Sequence, residues 1–376
     1  MHFRKGLHIP VTDLYLTRSN TGQARRVKKN VTLKDIARET GVHVSTVSRA
    51  LTPNARASLS TEIVSKIRET AERLGYRPNR LASGLRTNRT MSVGVMIPDI
   101  TNSLFPPIVR GIESVLEPAG YTSIVVNTDS DADREARLYD VLRERGVDGI
   151  INAAVHRIDP AALQVFDEIP VVTINRRVES ASLPAVISDD AGGIRMAVDH
   201  LMENGHKVIA HIAGPETLST GVDRRKAFEA AMEAHGVKAS EYHVAKAAHY
   251  IEDEGVRCTE DLLDADASIT ALVCANDRLA LGALDAISRR GLRCPDDMSI
   301  TGFNDIPFLD LIPPGLTTVQ VLQFEVGSTA AEILLKMMAG PDSRVPTTTI
   351  LPVSLIERGS VQKPKRRSKT RKSRRA

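Results

Sequence analysis

Residues 31–51, VTLKDIARETGVHVSTVSRAL, constrain the fold more than any other stretch, because their apolar spacing suits two short helices joined by a tight turn. Thr32 is placed to cap the first helix and Asp35, three residues on, to reach back to its backbone N–H. Val31 and Ile36 stand where a hydrophobic staple forms. Gly41 suits the left-handed residue that ends the helix. Ala37 is small where the second helix must come close, and Val42 and Val47 face inward. That leaves Ser45, Thr46, Ser48 and Arg49 on or beside the outward face, with Val44 at its start. Short hydroxyls and one guanidinium on a brief exposed helix suit phosphate positioning and base-edge reading in the DNA major groove. A third helix is predicted from an N-cap at Ser60, through Ile63, Ile67, Ala71 and Leu74, to a stop at Gly75.

Further strings fall in register with this one: GYRPNRLASGLRTNRT at 75–90, SVGVMIPDITNSLF at 92–105, ANDRLALGALDAISRRGLRCPDDMSITGFND at 275–305 and PPGLTTVQV at 313–321. Together, from about Val31 to about Glu357, they resemble the lactose/galactose repressor family of bacterial transcription regulators. His43 departs from the serine usual at the cap of the recognition helix, and Thr52 from the asparagine common after it. Imidazole caps less well than a hydroxyl, so His43 is read either as a residue that reaches DNA or as a solvated loop histidine.

The net charge of +4 conceals a segregation. Residues 1–30 carry +6, 31–90 carry +6, 91–362 carry −17 and 363–376 carry +9. Basic ends match a polyanion, and an acidic middle keeps nucleic acid from sticking elsewhere. The expected organisation is a basic, disordered leader (1–30), a helix-turn-helix domain (31–77), a hinge (78–90), a two-lobed effector-binding and dimerisation core (91–362) and a basic, disordered tail (363–376). The tail is open to two readings, non-specific phosphate attraction or plain solvation. Three cysteines without metal spacing argue against a disulfide scaffold or a zinc site. No apolar run serves as a signal peptide or bilayer span, so a cytoplasmic protein without membrane contact is expected.

Eight apolar runs read as strands, at 92–97, 122–127, 148–154, 171–175, 185–188, 207–213, 271–275 and 299–303. Most precede a helical stretch, such as 195–205 or 277–291, which argues for parallel sheets covered by helices. The fold class expected is a small all-α helix-turn-helix domain plus an α/β core of two Rossmann-like lobes, similar to periplasmic binding proteins. Ligands of such sheets sit at the carboxyl ends of strands, which nominates Phe105, Asp129, Asn175, Arg224, Tyr250, Asp277 and Phe303. The resemblance implies that Arg224, within VDRRKAF, and Asp277, within CAND, are the effector-binding arginine and carboxylate. Asn175 stands where aspartate is frequent. A guanidinium paired with a carboxylate suits vicinal hydroxyls. Phe105, Tyr250 and Phe303 are open to two readings, stacking on a sugar face or core packing.

The family further implies that the hinge, through Asn79, Arg80, Leu81 and Leu85, orders on DNA with Leu85 wedged into the minor groove. It implies a homodimer on a pseudo-palindromic double-stranded operator and a small-molecule effector. A sugar or sugar derivative is the commonest class, with a purine nucleobase as the alternative. A small-molecule-binding α/β enzyme is the competing class. However, no dinucleotide fingerprint, phosphate loop, HExxH helix or nucleophile elbow is present, and His206, His211 and His249 are scattered without spaced partners. No catalytic role, no cofactor and no metal is expected.

Overall fold

The computed structural model describes residues 31–51, 59–76, 89–179, 182–340 and 343–364. The chain divides into two compact units, Met1–Arg80 and Leu81–Ala376. The expected leader, most of the hinge and nearly all of the tail lie outside the described residues, as do Asn79, Arg80, Leu81 and Leu85.

In the first unit α1 (Leu33–Thr40), α2 (Val44–Leu51) and α3 (Thr61–Leu74) close on a core of Ile36, Ala37, Val47, Ala50, Ile67 and Ala71. The Asp35 carboxylate accepts from both the backbone N–H and the hydroxyl of Thr32, at 2.9 and 2.7 Å. Gly41 and Gly75 end α1 and α3 in the left-handed region, at φ 72° and 70°, which a glycine adopts without steric cost. Ser60 caps α3 by accepting from the Ile63 N–H. Ile63 itself is exposed, so α3 buries only Ile67, Thr70 and Ala71.

The second unit contains two six-stranded sheets. The first holds β1 (Ser92–Ile97), β2 (Thr122–Asn127), β3 (Gly149–Asn152), β4 (Val171–Ile174), β5 (Ala185–Ser188) and β11 (Thr348–Leu351) in the order β11-β5-β4-β3-β1-β2, all parallel. The second holds β6 (Ile209–Ala213), β7 (His243–Lys246), β8 (Ala271–Cys274), β9 (Ser299–Asn304), β10 (Thr317–Val321) and β12 (Val353–Ile356) in the order β12-β10-β9-β8-β6-β7. Its pairings are parallel except for β12, which runs antiparallel to β10. Every residue of β3, β4, β6 and β8 is buried, which explains why these strands read as unbroken apolar runs.

Helices α4 (Phe105–Leu116), α5 (Ala132–Glu144), α6 (Pro160–Phe166) and α11 (Gln323–Ala339) belong to the first lobe. Helices α7 (Asp190–Glu203), α8 (Ser219–Ala234), α9 (Glu252–Ala265) and α10 (Asp277–Arg289) belong to the second. The chain passes between the lobes after β5, after β10 and after β11, the last time with only Pro352 between strands. In each lobe two helices meet backbone to backbone at glycines. A Cβ on Gly111 of α4 would lie 2.0 Å from the Phe324 carbonyl oxygen, and one on Gly327 of α11 would lie 2.0 Å from that of Ile108. In the second lobe, a Cβ on Gly255 of α9 would meet the Leu279 carbonyl oxygen and one on Gly282 of α10 that of Glu252.

All eight expected strands are present, with ends that differ by up to two residues. Four more, β7, β10, β11 and β12, are additional to the sequence reading.

Candidate functional site

The recognition face is built on α2. Val47 and Ala50 anchor it, while Ser45 and Arg49 are exposed and Val44, Thr46 and Ser48 half-buried. The Arg49 guanidinium lies along the helix, its Nε 3.5 Å from the Ser45 carbonyl oxygen. His43 is exposed and, in addition to the two readings given for it, has a local partner. Its Nδ1 accepts from the Ser45 N–H at 3.3 Å and lies 2.8 Å from the Ser45 hydroxyl, so the imidazole caps the helix that serine would ordinarily cap.

In the core, the carboxyl ends of both sheets face a shared cavity of about 260 Å³. From the first lobe come Asp99 and Asn102 after β1, Asp129 and Ser130 after β2, His156 after β3 and Arg176 after β4. From the second come Pro215 and Thr217 after β6, His249 and Tyr250 after β7, and Arg278 at the start of α10. The chain turns sharply at these strand ends: Asp129, Ser130 and Asn175 are left-handed, at φ 54°, 56° and 62°.

Several charged groups clasp the two lobes around the cavity. Arg278 donates to Asp99 of the facing lobe at 2.9 Å and to Glu252 of its own at 2.7 Å. Hydrogen bonds from Thr101 and Arg278 hold the Asp99 carboxyl below the usual range, although burial, the largest single influence, pushes the other way. Arg177 pairs with Asp223 at 3.1 Å, and the Arg157 backbone N–H donates to the Thr217 carbonyl at 2.8 Å. Tyr250 donates to the Thr220 hydroxyl at 3.2 Å. The Asp129 carboxylate is exposed and engaged by Asn127 and Arg134.

Of the residues expected from the sequence, Asp129 and Tyr250 line the cavity. Arg224 lies in a buried layer of the second lobe, its guanidinium donating to Asp190 and to the Ala275 carbonyl and stacked 3.7 Å from the Phe303 ring centroid. Asn175 is half-buried at the end of β4 and is not among the lining residues. Phe105 and Phe303 are fully buried in the apolar core, so packing is the reading that holds for both.

Asp277 corrects an expectation. Its carboxylate accepts from the Thr318 hydroxyl at 2.5 Å and the Ile306 N–H at 3.0 Å, inside the second lobe, with no exposed surface. The residue after a buried strand starts a helix here, and its side chain ties that helix to β10 and to the loop after β9. Burial raises its pKa to about 6. Sequence reasoning missed Arg176 and Arg278; the signal was an arginine directly after a buried strand and another at a helix start.

Among the described residues one group has metal-ligating character: Glu135, His156 and Asp159, with donor atoms within 4.8 Å of one another. These donors already serve the fold. Glu135 accepts from Asn152 and lies 3.3 Å from His156, while Asp159 caps α6 through the Ala162 N–H. No helix among the described residues is long and apolar enough to cross a membrane.

A three-helix reading head and a two-lobed core with a cleft at facing sheet edges, carried on one chain, define a DNA-binding transcription regulator with a ligand-binding core. Residues 32–79 match the family described as bacterial regulatory proteins, lacI family, and residues 198–361 match the periplasmic binding protein-like domain. The ribose operon repressor of Halalkalibacterium halodurans is 32% identical over 311 residues, covering 82% of this chain and 90% of the relative. Among solved structures, the lac repressor dimer bound to operator and the anti-inducer ONPF has a TM-score of 0.78 at 27% identity, covering 89% of this chain and all of that one. The complex of the transcriptional regulator CelR with cellobiose has a TM-score of 0.67 at 28% identity, covering 88% and 100%. The chain belongs to the lacI family of bacterial regulatory proteins.

Proposed function

We propose that this regulator is a cytoplasmic repressor that binds a pseudo-palindromic operator as a homodimer and changes its operator affinity when a sugar or sugar derivative occupies the cleft. The observation that carries the reading is the cavity itself, formed where the carboxyl ends of two sheets meet, the place where open α/β sheets take ligands. The relatives' names and ligands, a ribose operon repressor and a cellobiose complex, support a sugar. In this reading Val44, Ser45, Thr46, Ser48 and Arg49 read the operator half-site. Asn79, Arg80, Leu81 and Leu85 belong to the hinge that enters the minor groove. Asp129, Tyr250, Arg176 and Arg278 meet the effector, with Arg224 and Phe303 supporting the wall behind them. Two half-sites need two recognition helices, and an isologous dimer supplies them with two-fold symmetry.

The test is selection of duplexes from a random pool by the full chain, followed by titration of the selected duplex with and without sugars, polyols, sugar acids and nucleobases. A palindromic consensus whose affinity shifts with one of the polyhydroxylated compounds is expected. Coupling of this kind amounts to about 1–3 kcal/mol. Selection of no consensus, or a response confined to nucleobases, would overturn the reading.

A further inference from the structure

Arginines crowd this cleft, and all but one have an acid. Arg278 holds Asp99 and Glu252, Arg177 holds Asp223, Arg157 holds Glu179, and Arg224 holds Asp190. Arg176 is the exception among the described residues. It follows β4 directly, after the left-handed turn at Asn175, and lines the cavity while remaining 6% exposed. Its one hydrogen bond runs from the guanidinium to the Ala154 carbonyl oxygen at 3.3 Å, and its Nε has no partner. Burial, the largest influence, lowers its pKa to about 10, and neighbouring Arg224 pushes the same way; Tyr250 and the Glu135 carboxylate oppose, but neither is bonded to it. A buried unpaired charge is costly, and one retained in a ligand cavity is intelligible if the ligand brings the opposite charge.

We propose that the effector is a small polyhydroxylated acid whose carboxylate docks on the Arg176 guanidinium. This rests on the reading of the cleft as the effector site and narrows it from sugars to sugar acids. The geometry favours a single negative charge. Arg278, the other arginine on the cavity wall, is already shared by two carboxylates, and His156 stands beside Glu135. One planar guanidinium, bonded only at Nη1 and with no acid of its own, matches one planar carboxylate, whereas a phosphate dianion would find half the charge it needs. Asn102, Ser130 and Thr217 on the same wall offer uncharged partners for hydroxyls.

The experiment is calorimetric titration of the full chain with glucuronate, galacturonate and gluconate, their neutral parents glucose and galactose, and glucose 6-phosphate. The wild type is expected to bind at least one acid tenfold or more tightly than its neutral parent. Arg176→Gln should reduce that preference to within twofold, and Arg176→Lys should retain part of it. Thermal melting of the ligand-free proteins provides a second readout: without its ligand an unpaired buried cation is a burden, so Arg176→Gln should melt at the wild-type temperature or above. A clear loss of melting temperature in both variants would mark a purely structural arginine. Equal binding of acids and neutral parents, or equal loss of both in Arg176→Gln, would overturn the acid and leave the sugar reading standing. Tighter binding of glucose 6-phosphate than of any carboxylate would overturn the monoanion. Binding of none of these compounds by a chain that still selects its operator would overturn both readings.

Discussion

Asp277 concentrates the physics of this chain in one side chain. A carboxyl with no exposed surface and two hydrogen bonds titrates near 6, against an ordinary 3.8, with burial the leading cause. The folded chain therefore holds that proton more tightly than the unfolded one, so stability falls as pH rises from about 4 to about 6 and stays at the lower level above. Asp277→Asn removes this contribution. Urea unfolding at pH 4 and pH 7 should show the stability gap between variant and wild type moving in the variant's favour by up to about 3 kcal/mol. A gap unchanged with pH would mean that the carboxyl titrates in its ordinary range. Towards the other end of the chain, Arg49 is exposed and, among the described residues, held by the carbonyl of Ser45 alone, a single long contact that a base edge can replace. Arg49→Ala should cost about 1–3 kcal/mol of operator affinity and relax preference at one base pair per half-site. Anisotropy titrations against the selected duplex and its single-base variants measure both effects, and wild-type behaviour in both would remove Arg49 from the reading face.

Individual residues also show where a single sequence misleads. The match at CAND drew attention to Asp277, but a carboxylate after a buried strand can turn outward to a ligand or inward to a neighbouring strand, and nothing local decides which. Thr318, its partner, lies 41 residues away. Arg176 was hidden for the opposite reason: an arginine at a strand end is ordinarily solvated, and its missing counter-charge becomes visible only once the acids of both lobes are placed around it.

At the scale of elements, most of the strands that were legible are buried on both faces, such as β3 and β8, because burial forces an unbroken apolar run; β2, half-exposed at the edge of its sheet, is legible by its apolar TSIVVN alone. The four that were not are short or half-exposed. β7 reads HVAK, and β11 and β12 are four residues each with alternating exposure at the ends of their sheets. β10 is buried yet begins with two threonines, Thr317 and Thr318, whose hydroxyls find partners only in the folded chain. Helix packing offers a sharper test. α4 and α11 touch through Gly111 and Gly327, where an added Cβ would fall 2.0 Å from a backbone oxygen that cannot move independently of its helix. Gly111→Ala or Gly327→Ala should force the pair apart and cost about 1–3 kcal/mol, despite alanine's better helix propensity. The urea midpoint reads this directly, and a stabilised variant would show that the helices have room to spare.

At the scale of the whole molecule, the clasp of Arg278 on Asp99 joins lobes that the backbone links at three crossings. Such a pair biases the balance between open and closed clefts, and an effector gripped by both lobes must draw on that bias. Arg278→Gln should enlarge the radius of gyration of the ligand-free protein in small-angle scattering and weaken effector binding by about 5- to 150-fold. Arg278 and Asp99 both line the cavity, so scattering of the ligand-free protein is the informative readout, with Asp99→Ala on the opposite lobe as the partner variant. The two changes act on one bond, so the double variant should scatter much as each single one does. Additive expansion would mean that the two residues act separately.

The single residue between β11 and β12 has a consequence for how the molecule is made. These consecutive strands complete different sheets, β11 pairing with β5 and β12 with β10. On the ribosome, residues 31–76 emerge ahead of both lobes and carry the three helices with the residues of their shared core. Neither lobe obtains its last strand until residues 348–356 have followed. The three-helix core is thus complete in the emerging chain before either lobe is, and both lobes receive their last strand in one nine-residue passage. A message broken off just short of that passage would leave the reading head whole and strip a border strand from each lobe at a stroke.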